Sequence, residues 1–123
     1  MNGTKLLLDT NIALYLLGGD RVLAAMLDQQ EVYISAITEM ELLGYPGITP
    51  QEQERIKSFL NDCLLIDINA DIKEKAIAIR QRHNLKLPDA IIAATALHLN
   101  LALLSADGVF SRIDELNFVH YTL

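Results

Sequence analysis

The sequence predicts a three-layer α/β/α sandwich around a mostly parallel sheet of about five strands. Three observations lead there. Leu6, Leu7 and Leu8 form an apolar run with no polar alternation, the pattern of a strand covered on both faces. Short β-rich runs then alternate with segments of helical period along the whole chain. Finally, 123 residues of which 51% are apolar and 21% charged suffice for one ordinary globular core, so positions 1–123 are expected to form a single domain.

In chain order, the first strand ends at Asp9 and residues 11–17 follow as a helix, with Thr10 or Asn11 as its cap and Gly18-Gly19 as its stop. Asp20 caps a short helix whose Val22, Leu23, Met26 and Leu27 repeat at helical spacing and which ends near Gln29 and Gln30. Residues 32–35 are the second strand. A helix through Leu43 comes next, with Thr38 and Glu41 at the spacing of a capping box, and residues 44–47 make a turn that includes Tyr45. Thr49 caps the following helix, with Pro50 in its first position, Glu52 returning the cap bond, and Ile56, Phe59 and Leu60 as its buried face.

Residues 64–68 are the third strand, and residues 69–83 a long helix that buries Ile72, Ala76 and Ile79 and closes at Asn84. Pro88 starts a helix over residues 89–99, apolar almost all round and therefore expected to be buried. Residues 102–104 are the fourth strand, 108–113 a short helix and 118–121 a last strand.

Charge and chemistry narrow the function. A formal net charge of −6 disfavours a protein that holds nucleic acid by a broad basic face, unless a bound cation or a local patch does that work. Five of the ten basic residues do fall together, at Lys73, Lys75, Arg80, Arg82 and Lys86. The one cysteine, Cys63, sits in an apolar run as a core residue. His83, His98 and His120 show no spacing to one another or to Cys63 that suggests zinc. The chain enters its first strand with no secretory leader, and its most apolar window is interrupted by Lys86, Pro88 and Asp89. The expectation is a cytoplasmic protein with no membrane span.

Four acids stand where a strand or loop meets a helix: Asp9, Glu41, Asp89 and Asp107. Singly, each is explained by capping or by the dipole of a helix N-terminus. Jointly they mean more, because all strands of a parallel sheet end on one edge and right-handed crossovers bring the helices back to it. Two carboxylates about 4 Å apart repel by roughly 4 kcal/mol at an effective dielectric near 20, and a cation removes that cost. A donor set without cysteine or histidine suits a hard ion, Mg²⁺ or Mn²⁺, which commonly completes its shell with phosphate oxygens.

Four segments in order, LLLDTN, ISAITEMELLG, LPDAIIAATAL and LLSADGVF, resemble the successive motifs of the PIN domain, most of all those of the VapC toxins of toxin–antitoxin pairs. The resemblance covers nearly the whole chain. It implies a metal-dependent endoribonuclease that hydrolyses RNA phosphodiester bonds, is inhibited by a cognate antitoxin and forms a homodimer. Carried over by motif, Asp9, Glu41, Asp89 and Asp107 are the catalytic acids, with Asp9, Asp89 and Asp107 as the main metal ligands and Glu41 ligating directly or through water. Ser105 and Asn11 stand at supporting positions. Glu41 rather than Glu39 has the family's spacing to Leu42.

The helix bearing Arg80 and Arg82 leads into Asp89, so Arg82 and Lys86 are expected to hold RNA backbone. Two rivals are weighed beside this. An aspartyl-phosphate phosphatase also opens on a strand ending in Asp, but shows DxD where this chain has Asn11. A catalytically inert interaction module of the same fold would lack one of the four acids, and all four are present.

Overall fold

The apolar run near the start of the chain becomes the middle strand of the sheet. The computed structural model describes residues 4–123. The expectation about a leader therefore falls largely on residues 1–3, which lie outside the described residues. In chain order the elements are β1 (Lys5–Leu8), α1 (Thr10–Leu17), α2 (Arg21–Leu27), β2 (Glu31–Ser35), α3 (Ala36–Leu43), α4 (Pro50–Asn61), β3 (Leu64–Ile66), α5 (Ala70–His83), α6 (Leu87–Leu99), β4 (Ala102–Ser105), a 3₁₀ turn (Gly108–Arg112) and β5 (Phe118–His120). The strands lie in the order β3-β2-β1-β4-β5 and every pair is parallel. The predicted sandwich is present, and its sheet is parallel throughout rather than mostly so.

Alternate side chains of the middle strands enter opposite layers, as strand geometry requires. Leu7 and Leu103 pack against Ile72, Ala76, Ile79 and Ile92 of α5 and α6. Leu6, Leu8, Ala102 and Leu104 pack against Ile12, Leu23, Leu42 and Leu60 of α1 to α4. Leu7, Leu8, Leu103 and Leu104 are wholly inaccessible, each burial contributing about 2 kcal/mol. Ala90, Ala93, Ala94 and Ala96 are buried as well, and their small side chains let α6 lie close to the sheet and α5. No helix of the described residues is long and apolar enough to cross a membrane.

Several boundaries differ from expectation for local reasons. The cap of α1 is Asp9, whose carboxylate accepts from the Thr10 N–H, rather than Thr10 or Asn11. The cap of α3 is Ser35, the last residue of β2, so Thr38 lies inside the helix and forms no capping box with Glu41. The third strand stops at Ile66 because its one partner, β2, stops at Ser35 opposite it. α2 ends at Leu27, two residues short of Gln29, and α6 begins at Leu87, one residue before Pro88. The capping box of Thr49 and Glu52 forms as predicted, and Asn84 closes α5 in the left-handed conformation.

Candidate active site

Chain order along the sheet reverses between β1 and β4. β2 and β3 extend it on one side and β5 on the other, so the crevice at the carboxyl ends of β1 and β4 is the switch point where ligands enter such sheets. Asp9 continues the parity of Leu7 and Ser105 that of Leu103, so both side chains emerge toward α6. Register sets them side by side, since Leu8 pairs with Leu104 and the Asp9 N–H still donates to the Leu104 carbonyl. The Ser105 hydroxyl donates to Asp9 Oδ2 at 2.6 Å, while Oδ1 takes the Thr10 N–H at 2.8 Å. Asp9 is only 5% exposed and Ser105 not at all.

The other three acids arrive from separate elements. Asp89 lies in the first turn of α6, on the layer toward which Asp9 points, and is half-buried. Asp107 is exposed and caps the 3₁₀ turn through the Val109 N–H, and its own N–H donates to Ser105 Oγ at 3.0 Å. Glu41 stands in the last turn of α3, where Oε1 accepts the Thr10 hydroxyl at 2.6 Å. Thr10 Oγ1 also lies 3.0 Å from Thr38 Oγ1. It is Glu41 that repels Asp9 and Asp89 across the crevice, a role in which Glu39 has no part.

The acids are electrostatically one group. Burial raises the carboxyl of Asp9, opposed by its bonds from Ser105 and Thr10 and reinforced by Asp107 and Glu41. Asp89 is pushed up to about 6, first by burial and then by Asp9, Asp107 and Glu41, with Lys86 offsetting them in part. Among the described residues no three such side chains converge closely enough to chelate an ion as they stand. The chemistry of the set nonetheless fits one: four carboxylates of like charge repel one another at one edge of the sheet, Lys86 is the one cation among the described residues that offsets them, and a hard divalent cation supplies the missing charge.

Not every candidate joins the crevice. Lys86, the residue before α6, acts on Asp89, but Arg82 lines a separate hollow of about 320 Å³ with Lys75, His83 and Glu115. Asn11 is exposed and makes no side-chain hydrogen bond among the described residues. Cys63 is half-buried with its thiol donating to the Phe59 carbonyl and pushed up to about 11 by burial, so it is no nucleophile. His98 lies 3.5 Å from the Asn69 amide.

Three residues at this edge were not singled out for it by the sequence. Thr10 and Thr38 meet there, signalled only by adjacency to Asp9 and by a three-residue spacing to Glu41 on one face of α3. His120, at the end of β5, pairs in register with Ser105 and places Nε2 3.0 Å from the Ala106 carbonyl, beside Asp107. Tyr45 borders the crevice too, in a groove of about 340 Å³ that includes Thr10, Leu14 and Glu41.

Fold and site together define a parallel α/β domain whose switch point carries an acidic crevice. The chain belongs to the PIN domain family, whose model matches residues 6–116. Among solved structures it is similar to a toxin–antitoxin complex from Klebsiella pneumoniae, with 34% identity, 96% of this chain and 99% of that one covered, and a TM-score of 0.84. FitAcB from Neisseria gonorrhoeae is 27% identical over 94% of this chain and 96% of that one, with a TM-score of 0.80. VapBC2 from Rickettsia felis, bound to a promoter DNA fragment, shares the fold at 22% identity over 97% and 100% of the two chains, with a TM-score of 0.87. A search of curated proteins finds no match.

Proposed function

We propose that the chain is a metal-dependent endoribonuclease, the toxin of a toxin–antitoxin pair, which hydrolyses RNA phosphodiester bonds with Asp9, Glu41, Asp89 and Asp107. The observation that carries this reading is the mutual repulsion of these four acids at the β1/β4 switch point, with Lys86 as the one offsetting cation among the described residues. Asp9, Asp89 and Asp107, with Glu41, would hold Mg²⁺ or Mn²⁺. When bound, the ion supplies an acidified water and charge stabilisation for the phosphoryl oxygens.

The chain's own groups prepare that chemistry. Ser105 donates to Asp9 and so favours its ionised, ligating form against the cost of burial. Lys86 does the same for Asp89, and its ammonium would meet an RNA phosphate in this reading. Asn11, exposed at the start of α1, is free to face substrate. Partners in this reading are RNA, a cognate antitoxin and a second copy of the chain, in the cytoplasm. The likeness to a toxin–antitoxin complex supports the antitoxin, and apolar groups left on the surface, Leu14, Met40 and Tyr45 near the crevice and Ile77 and Leu87 on α5 and α6, suit protein contacts.

The test is cleavage of RNA by the purified chain in Mg²⁺ or Mn²⁺, with EDTA and with Asp9→Asn as controls. Cleavage should require the metal and fall at least a hundredfold in Asp9→Asn, with the fold retained by circular dichroism. Full activity in that variant would overturn the assignment, and absence of both cleavage and Mn²⁺ binding would leave the inert interaction module.

A further inference from the structure

We propose that Thr10 is a positioning residue: its hydroxyl, itself held by Thr38, fixes the carboxylate of Glu41 at the rim of the acidic crevice. The consequence for catalysis rests on the ribonuclease reading above. The hydrogen-bond geometry does not.

Glu41 needs such a hold. It is exposed in the last turn of α3, and Thr10 is its one side-chain partner among the described residues. An ionised carboxylate only accepts, so across the 2.6 Å contact the single proton of the Thr10 hydroxyl goes to Oε1. The 3.0 Å contact between Thr10 and Thr38 must then be filled by the proton of Thr38. The direction of the chain is fixed: Thr38 to Thr10 to Glu41.

Thr38 supports this independently. It is wholly inaccessible and lies inside a helix, where a threonine hydroxyl commonly donates to the carbonyl four residues back. Thr95 does so, to the Ile91 carbonyl at 2.7 Å. Thr38 makes no such bond, and Thr10 is its sole side-chain partner among the described residues. The relay is therefore anchored at its buried end, and both members are β-branched and stiff at their first torsion. Thr10 also gives its N–H to Asp9 Oδ1, so one residue sets two acids that come from different elements. Oε2 of Glu41 has no hydrogen-bond partner among the described residues.

Two measurements test this. Thr10→Val removes the hydroxyl at nearly constant shape, and Thr10→Ser keeps it. In RNA cleavage against Mn²⁺ concentration, Thr10→Val should need about tenfold more metal for half-maximal rate, the usual scale for losing a group that orients a ligand, while Thr10→Ser stays within about threefold. A merely structural threonine would lower thermal stability without moving the metal requirement. An unchanged Mn²⁺ dependence in Thr10→Val overturns the positioning role.

The second measurement needs neither metal nor RNA. Urea unfolding of Thr10→Val, Thr38→Val and the double variant should show coupling of about fivefold in the folding equilibrium constant. Additive effects would overturn the hydroxyl chain itself. Absence of cleavage by the wild-type chain would overturn the ribonuclease reading, and the positioning role with it. That failure is told apart by the cycle, which reports on the hydroxyls alone.

Discussion

Replacing Asp89 by Asn should stabilise the metal-free protein. Burial and three neighbouring carboxylates push the Asp89 carboxyl from its ordinary 3.8 to about 6. At roughly 1.4 kcal/mol per pH unit this is a ceiling of about 3 kcal/mol. The side chain is only half-buried, and solvent screening reduces the figure to about 1 kcal/mol. Between pH 4 and pH 6 the folded state binds more protons than the unfolded chain, so stability falls as pH rises through that window and the full penalty is in place above it. An asparagine carries no such penalty. In thermal melts with EDTA at pH 7, Asp89→Asn should therefore melt about 4 °C above wild type, and the difference should close by pH 4. With Mn²⁺ the order should invert, because the wild type gains ligand-linked stability that the amide forfeits. An Asp89→Asn protein no more stable than wild type at pH 7, or stabilised equally at pH 4, would refute the reasoning.

Three further outcomes follow from the same geometry. Ser105→Ala leaves the buried Asp9 carboxylate without its 2.6 Å donor and should cost about 2 kcal/mol in urea unfolding. Lys86→Glu should weaken RNA affinity several-fold in a filter-binding assay and more than Arg82→Glu does, since Lys86 acts on Asp89 while Arg82 lines a separate hollow. Thr49→Ala should cost about 1 kcal/mol in urea unfolding through loss of the capping box.

How much was legible in the sequence depended on whether the deciding interaction was local. The Thr49–Glu52 box and the Asn84 stop are complete within a few residues, and each forms where it was read. The apolar run at Leu6 to Leu8 announced a strand covered on both faces because composition alone records that. Asp9, Thr10 and Asn11 are all good caps, and the choice among them fell to where the ladder to β4 ends. Ser35 escaped notice as a cap because β2 passes into α3 without a loop.

The same distinction applies to the crevice. Its acids could be placed from topology, since each follows a strand or opens a helix, apart from Glu41 at the far end of α3. The hydroxyls of Thr10 and Thr38 could not, because they meet only where α1 packs against α3. Arg82 and Lys86 are four residues apart and would share a helix face if one helix carried both. Asn84 turns left-handed between them, with φ 54°, and sends them to different surfaces.

Asp9 occupies two offices at once: one carboxylate oxygen caps the N-terminus of the first helix and the other takes the Ser105 hydroxyl at the crevice. Sequence drift at this position is constrained by folding before chemistry is considered. Alanine would strip a cap worth about 1 kcal/mol together with the charge, so an inactive alanine variant could be inactive for want of a sound helix. Asparagine caps as well as aspartate, and its amide can still meet Ser105. An inert yet well-folded form of this chain, whether made in the laboratory or fixed by selection to bind a partner without cutting, has its most economical route through that one substitution.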